Sequence, residues 1–325
     1  MIPSKVRNRF AGSRPVWAAV LFAAMMPGVN PTWIGTAAQD SALTPRAQLR
    51  RPPQEPHSPP IVTDAGPNHI SWRLADADND PSGSRPTGAS YIELASGLNR
   101  WDADQNQWRP AEARFESHPE GYFLARFTQH QVTLASDLNR QAAVELLAPD
   151  GVRLLSAILG LALVDAASGR NVLLAELKSC RGVQVSPTEI VYQNAFDGLE
   201  ADVRYVVDLD RFEQDVIIRR RIPPELVSDL GLDPSQTRLL VLTEFFDPPR
   251  PDTHVRRLPL ADGQTLTDQE LSFGAMRMGP GQASAVGVDG PQIPVHKSWE
   301  TLDGRQFLIE AVPYLALLRV SESLP

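Results

Sequence analysis

The sequence has a single cysteine, Cys180, in 325 residues. One thiol cannot form a disulfide within the chain, so stability must come from the burial of apolar side chains and from sheet pairing. Cys180 lies in a segment typical of a turn, residues 178–182, with no histidine near it in sequence. We therefore expect a structural thiol rather than a nucleophile.

The short motifs that carry much catalytic and cofactor chemistry are also missing. There is no Gly-x-Ser-x-Gly motif and no glycine-rich phosphate loop. The six histidines show no metal-ligand spacing such as His-x-x-x-His. Glu244 and Asp247 form an acid pair of the kind that glycosidases use, but acids at such a spacing are common. We predict a protein that is not an enzyme and that needs no cofactor, apart from the calcium considered below.

Positive charge is scarce outside the first residues. The chain has 31 Lys and Arg against 39 Asp and Glu, which gives a formal net charge of −8 at pH 7. Residues 1–38 hold four of the cations and no acidic residue, so the net charge without them is lower by four, at −12. The one notable basic cluster is residues 219–221. An acidic chain of this kind lacks the electrostatic footprint of nucleic-acid binding, and we expect no nucleic-acid partner.

The first 38 residues have the order of a secretory signal peptide. Four cations precede an apolar run at residues 16–26, and small residues end at Ala38. This order predicts a secreted or extracytoplasmic protein, in the periplasm or at the cell surface. The competing interpretation is an uncleaved anchor, because a membrane span needs about 20 apolar residues. Pro27, Gly28 and Pro31 interrupt such a helix and favour cleavage, so we expect membrane contact only if this segment is retained.

Two regions follow the predicted signal. Residues 39–68 carry seven prolines and little apolar content, which predicts a disordered linker. Residues 69–325 show short apolar runs with a turn signal about every ten residues, the texture of a mainly β, antiparallel sandwich or super-sandwich with few short helices. We consider one β-rich domain or two packed β subdomains with a break near 222–236. The best helix candidate, residues 224–230, lies there, with proline at its start and Gly231 after its end.

Two segments predict particular strands. Residues 154–164 are the most apolar stretch after the signal, and the flanking turns favour a central strand over a buried helix. Gly160 would mark a bulge in that strand. Residues 201–221 alternate with period 2 and predict a hairpin. A two-residue turn at Asp210 and Arg211 would pair Val203 with Ile218 and set Asp202 opposite Arg219 in a cross-strand charge ladder.

Alternating acids suggest a calcium site. Asp76, Asp78 and Asp80 resemble the start of a calcium loop, in which carboxylates supply several of the six to eight oxygen ligands. The pattern then departs from an EF-hand, because Pro81 replaces the glycine and Thr87 replaces the bidentate glutamate. A solvated acidic turn is the alternative interpretation.

Two tryptophans are candidate ligand-binding residues. Trp101 and Trp108 flank a turn with a weaker copy of the acidic pattern at Asp102, Asp104 and Asn106. They are expected to face one another on a hairpin. Such a pair either stacks on sugar rings or packs as an ordinary cross-strand aromatic pair.

Three phrases resemble a known group of sequences. They are Tyr91-Ile-Glu-Leu-Ala-Ser-Gly-Leu-Asn99 with the two tryptophans, Tyr205 through Phe212-Glu-Gln-Asp-Val216, and Phe307-Leu-Ile-Glu310. Together they resemble the uncharacterised N-terminal β-rich region of large exported bacterial surface proteins, some with Rhs/YD-type or lectin-like repeats downstream. The resemblance covers about residues 88–314 and implies no catalytic or binding residues. Here a strand-like segment, residues 314–320, precedes Pro325 without repeats, and we expect a truncated or split version.

These features favour an exported, non-enzymatic β-sandwich module with a structural or adhesive role at the cell surface. The alternative is a carbohydrate-binding or carbohydrate-processing β-sandwich protein. The expected partner is a cell-surface glycan or another surface protein. Exposure of Trp101, Trp108 and Trp299 would favour the alternative, and their burial would remove its main support.

Overall fold

The computed structural model describes residues 60–73, 90–259, 265–286, 291–322 and 324. The predicted signal peptide, residues 39–59 of the predicted linker and the calcium candidates Asp76, Asp78 and Asp80 lie outside the described residues. The chain divides between Pro110 and Ala111 into two compact units. We call the described residues up to Pro110 the small unit and those from Ala111 the large unit. The segment 222–236 is not a boundary, because strands on both sides of it share one core.

The small unit contains a three-stranded antiparallel sheet and a hairpin. Its strands are β1 (Ile61–Gly66), β2 (His69–Arg73), β3 (Ser90–Leu94), β4 (Asn99–Asp102) and β5 (Gln107–Pro110). The sheet order is β1-β2-β3, and β4 pairs with β5. Since β1 begins at Ile61, the folded part starts inside the range that the sequence assigned to the linker.

One buried amide joins the two parts of the small unit. The Nδ2 of Asn99 donates to the carbonyl oxygens of Gly66, at 2.7 Å, and of His69, at 3.0 Å. The Asn99 side chain therefore fixes the start of the hairpin to the turn between β1 and β2. Beside it, the Gly97 amide donates to Oδ1 of Asn68 at 2.9 Å.

The large unit contains the other 18 strands and both helices of the described residues. They are β6 (Glu116–His118), β7 (Tyr122–Ala125), β8 (Gln131–Ala135), β9 (Val144–Leu147), β10 (Arg153–Asp165), β11 (Asn171–Leu177), β12 (Gly182–Ser186), β13 (Glu189–Tyr192), β14 (Phe196–Asp197), β15 (Ala201–Val207), β16 (Phe212–Ile218), α1 (Pro224–Asp229), β17 (Thr237–Phe246), β18 (Asp252–Pro259), β19 (Thr265–Phe273), β20 (Met276–Met278), β21 (Gly281–Ala283), β22 (Ile293–Leu302), β23 (Arg305–Pro313) and α2 (Tyr314–Val320).

Three antiparallel sheets of the large unit share its core. The largest runs β21-β22-β23-β17-β10-β9-β8-β7-β6, and β11 pairs with β10 and with β14. The other two have the orders β12-β13-β15-β16 and β18-β19-β20. Buried side chains from all three form one hydrophobic cluster, and a smaller cluster with Phe307 and Ile309 lies apart from it. The predicted mainly β, antiparallel sandwich architecture is confirmed.

The central strand and the first helix agree with the sequence predictions. Strand β10 is almost entirely buried and pairs with β9, β11 and β17. Its register with β17 shifts between Ile158 and Gly160, so the predicted bulge is present. Helix α1 begins at Pro224, and Gly231 adopts a φ of +72°, the left-handed conformation that commonly ends helices.

The segment from Tyr314 to Val320 is a helix, and the strand prediction for it is wrong. Tyr314, Leu317 and Leu318 lie on one helical face and contact the main core. The Tyr314 hydroxyl donates to the carbonyl oxygen of Ile222 at 2.8 Å. A short apolar run does not distinguish strand from helix by periodicity, so packing decides the conformation. No helix in the described part of the chain is long and apolar enough to cross a membrane.

The β15–β16 hairpin has the predicted faces in a different register. Val203 pairs with Val216, and a four-residue loop replaces the predicted two-residue turn, closed by the Asp208 amide donating to the Arg211 carbonyl at 2.8 Å. The shift is two residues, so each side chain stays on its face. The expected pair of Asp202 and Arg219 forms at 2.7 Å as a diagonal contact.

Candidate functional site

The predicted tryptophan pair is present in the small unit. Trp101 and Trp108 are cross-strand partners, with ring centroids 5.3 Å apart in an edge-to-face arrangement. Trp101 is 48% exposed and Trp108 is half-buried. The pair therefore leaves one large aromatic surface accessible while stabilising the hairpin.

The acidic turn between the tryptophans is held by arginine. The Asp102 Oδ2 lies 3.2 Å from the Arg109 Nε and 3.9 Å from a terminal nitrogen of Arg100. Its Oδ1 accepts from the Gln105 amide at 3.2 Å. Both Asp102 oxygens thus have partners, which favours the interpretation of this turn as structural.

Strand β3 exposes apolar side chains on both of its faces. All five of its residues are exposed, with Ile92 at 64% and Leu94 at 76%. Tyr91, on the other face, stacks on Trp72 at 6.1 Å between ring centroids. Among the described strands β3 pairs only with β2. We call Tyr91, Ile92 and Leu94 the β3 surface.

Trp299 has a different environment, in the large unit. Its ring lies 5.0 Å from Phe245 and 5.4 Å from Phe273, between centroids, and packs against the core. Its Nε1 donates to Oε1 of Gln306 at 3.1 Å. Trp299 is therefore a packing residue, which removes one of the three tryptophans from the carbohydrate hypothesis.

Two other residues considered for catalysis are held in structural contacts. Cys180 is buried, and burial together with the nearby Asp137 carboxylate raises the pKa of its thiol to about 11. Such a thiol is protonated at neutral pH and is a poor nucleophile.

Both Glu244 oxygens accept hydrogen bonds from Arg305, one of them at 2.6 Å from Nε. This bidentate ion pair makes Glu244 a poor general acid or base.

The large unit contains a cavity that the sequence analysis did not find. Its volume is about 60 Å³ and it is partly open. Strands β9, β10, β17 and β23 of the largest sheet contribute to its lining, as do β16 and β20, the end strands of the two smaller sheets. The lining is apolar except for four residues, which are Ser156, Gln214, Thr243 and Glu310.

Glu310 is the unusual member of this lining. It is 2% exposed, and its Oε1 has no hydrogen-bond partner in the described structure. Burial raises the pKa of Glu310 to about 8, opposed by the charge of Lys297 and assisted by Asp268 and Asp215. Glu310 is therefore mostly protonated at neutral pH, which avoids an uncompensated charge in the interior.

Lys297 lies next to Glu310 in the sheet but is paired with Asp268. Lys297 is the cross-strand neighbour of Glu310 and is fully buried. Its Nζ donates to both oxygens of Asp268, at 2.9 and 3.0 Å, and its backbone amide donates to Oδ1 at 2.9 Å. Asp268 thus neutralises Lys297 and leaves Glu310 as the carboxyl without a cation.

Two of the other three polar residues of the cavity, Gln214 and Thr243, belong to a short chain of hydrogen bonds. The Tyr205 hydroxyl donates to Oε1 of Gln214 at 3.0 Å, and the Gln214 Nε2 donates to the Thr243 hydroxyl at 3.4 Å. Asp215, next in sequence, pairs with Arg204 at 2.6 Å. The hydroxyl of Thr243 keeps acceptor capacity on the cavity side of this chain.

The signal that could have revealed this site is a charged residue at a buried position of an apolar strand. Glu310 stands within β23 among buried apolar residues, and Lys297 alternates with the buried Val295. Sequence spacing could not show that Glu310 and Lys297 lie near Asp268.

Within the described ranges, no group of three or more His, Cys, Asp or Glu residues is placed to hold a metal ion. No family model, no curated protein and no solved structure matches this chain.

Proposed function

We propose that the chain is an exported, non-enzymatic β-sandwich module with a structural or adhesive role at the cell surface. In this proposal the small unit makes the contact and the large unit is its stable support. The observation that carries it is the β3 surface, a strand whose apolar side chains are exposed on both faces. Exposed apolar side chains that cluster in this way are typical of interaction sites.

The chemistry of the candidate catalytic residues agrees with a non-enzymatic role. The Cys180 thiol is buried with a raised pKa, and Glu244 is paired with Arg305. Neither group is prepared for proton transfer or nucleophilic attack at neutral pH.

Carbohydrate binding is the second candidate, favoured by the exposure of Trp101. A flat aromatic side chain that is 48% exposed on a rigid hairpin offers a stacking surface for a sugar ring. This candidate assigns the contact to Trp101, whereas the first assigns it to the β3 surface, so single substitutions separate the two.

Co-sedimentation of the purified chain with isolated peptidoglycan sacculi, together with a glycan array, tests both candidates. We expect retention by the sacculi, and we expect Ile92→Asp to weaken it about tenfold or more. The matched control is Val255→Asp, because Val255 is also an exposed strand residue, 57% exposed, but belongs to the large unit. Its retention should equal that of the wild type.

The outcomes divide the candidates. If Trp101→Ala abolishes binding and Ile92→Asp does not, the carbohydrate candidate replaces the first. If the wild-type chain binds neither the sacculi nor any array glycan, both candidates are contradicted.

A further inference from the structure

The cavity beside Glu310 combines apolar walls with an unsatisfied acceptor. Glu310, Thr243 and Ser156 come from β23, β17 and β10, three neighbouring strands of the largest sheet. The surrounding walls include Leu154, Phe212 and other apolar side chains. A complementary ligand therefore presents a hydrogen-bond donor to Glu310 and an apolar group to these walls.

The volume limits the size of the group that enters. A cavity of about 60 Å³ holds a few water molecules or a small head group. Because the cavity is partly open, a longer ligand can extend out of it. A drug-sized ligand, which needs about 300 Å³ or more, does not fit inside.

We propose that this cavity binds the terminal ammonium group of a primary alkylamine, with Glu310 as its counter-ion. A primary ammonium has three N–H donors. The Glu310 carboxylate supplies acceptors, and Thr243, two positions along the adjoining strand from the cross-strand partner of Glu310, supplies a hydroxyl oxygen. The alkyl chain contacts the apolar wall. A quaternary ammonium lacks these donors.

The neighbouring charges favour a cation at this position. Lys297 on β22 is neutralised by Asp268 on β19, and Asp215 on β16 is paired with Arg204 on β15. Glu310 is the remaining carboxyl of this neighbourhood, and a buried oxygen without a partner, such as its Oε1, costs free energy. An ammonium satisfies that atom and replaces the proton that Glu310 otherwise carries.

This replacement links binding to pH. Below about pH 8 Glu310 is protonated in the free protein, since its pKa is raised to about 8, so each bound ammonium releases one proton to the buffer. The apparent dissociation constant is then expected to fall about tenfold between pH 6 and pH 7 and to level off above pH 8.

Isothermal titration calorimetry of the full chain with n-propylammonium chloride tests the proposal. We expect a saturable heat with propylammonium and none with 1-propanol, tetramethylammonium chloride or sodium chloride at the same concentration. A further titration uses Nα-acetyl-lysine amide. Its binding would identify a lysine side chain as one source of the ammonium, and its failure beside propylammonium would restrict the site to smaller alkylamines.

Glu310→Gln, which keeps the side-chain volume, should abolish the propylammonium heat. Glu120→Gln, at an exposed glutamate of the same unit, is the matched control and should bind as the wild type does. Three results would each overturn the proposal: 1-propanol binds as well as propylammonium, a folded Glu310→Gln variant binds propylammonium as the wild type does, or the wild-type titration with propylammonium shows no heat. If Glu310→Gln fails to fold, the wild type is titrated at pH 7 in two buffers that differ in their heat of ionisation, which gives the number of protons released per bound amine. Release of about one proton supports the proposal, and release of none refutes it.

Discussion

The exposed apolar residues of β3 in the small unit contrast with the buried charged residues of the large unit. The small unit exposes Tyr91, Ile92 and Leu94, whereas the large unit buries Lys297, Asp268 and Glu310 at 2% exposure or less. Exposed apolar area adds nothing to the stability of the isolated chain, and buried charges reduce stability unless they are paired. This contrast is consistent with our proposal that the small unit contacts a partner, and it identifies the interior of the large unit as a region whose stability depends on charge pairing.

Breaking the buried ion pair has the largest expected effect. Asp268→Asn leaves Lys297 as an uncompensated charge in the interior, and we expect the free energy of unfolding to fall by about 3–5 kcal/mol. Urea denaturation measures this loss. Glu200→Gln removes one partner of the exposed pair with Arg220 and should change stability by less than about 1 kcal/mol. Equal effects of the two variants would contradict the contrast between interior and surface.

One tryptophan of each unit allows a second comparison, of the stability lost when the ring is removed. Trp299→Ala removes a ring packed against Phe245 and Phe273, and we expect a loss of about 3–5 kcal/mol. Trp101→Ala removes an exposed partner of one aromatic pair and should cost about 1 kcal/mol. Thermal unfolding followed by circular dichroism distinguishes these values. A Trp101→Ala loss as large as that of Trp299→Ala would mean that the hairpin ring is structurally essential.

The pH dependence of stability tests the buried state of Glu310. Its pKa is raised from 4.5 to about 8 in the folded chain, so between these values the unfolded chain releases a proton that the folded chain keeps. The free energy of unfolding should therefore fall as pH rises from about 4.5 to 8, by on the order of a few kcal/mol, and level off above that. Glu310→Gln should flatten this segment of the urea-derived profile. An identical profile in the variant would assign the pH dependence to other groups.

Loss of the Asn99 amide is expected to affect the small unit alone. Asn99→Ala leaves the Gly66 and His69 carbonyls without this donor and should destabilise the small unit by about 1–3 kcal/mol. Hydrogen exchange measured by mass spectrometry should show faster exchange in residues 60–73 and 90–110 and unchanged exchange in β10. Faster exchange throughout the chain would indicate that the two units unfold together.

Local features of the fold could be predicted from the sequence. The bulge at Gly160, the start of α1 at Pro224 and the pairing of Trp101 with Trp108 each follow from a few neighbouring residues. The hairpin register was missed because loop length depends on backbone geometry that the Asp208–Arg211 sequence does not specify. Helix α2 was missed because its apolar run fits either period, and only its packing selects the helix.

The candidate site could not be predicted for a different reason. Glu310, Lys297 and Asp268 come from β23, β22 and β19, and the cavity also requires β16 and β20. Their meeting depends on how three sheets pack, which no spacing along the chain encodes. Charged residues at positions that the strand period assigns to the core were the available signal.

Hydrogen exchange of the chain with and without peptidoglycan sacculi tests the central claim most directly. We expect binding to slow amide exchange in β3, where the apolar side chains are exposed on both faces, and to leave exchange in β10 and β23 unchanged. Slower exchange confined to the large unit, with β3 unaffected, would contradict it.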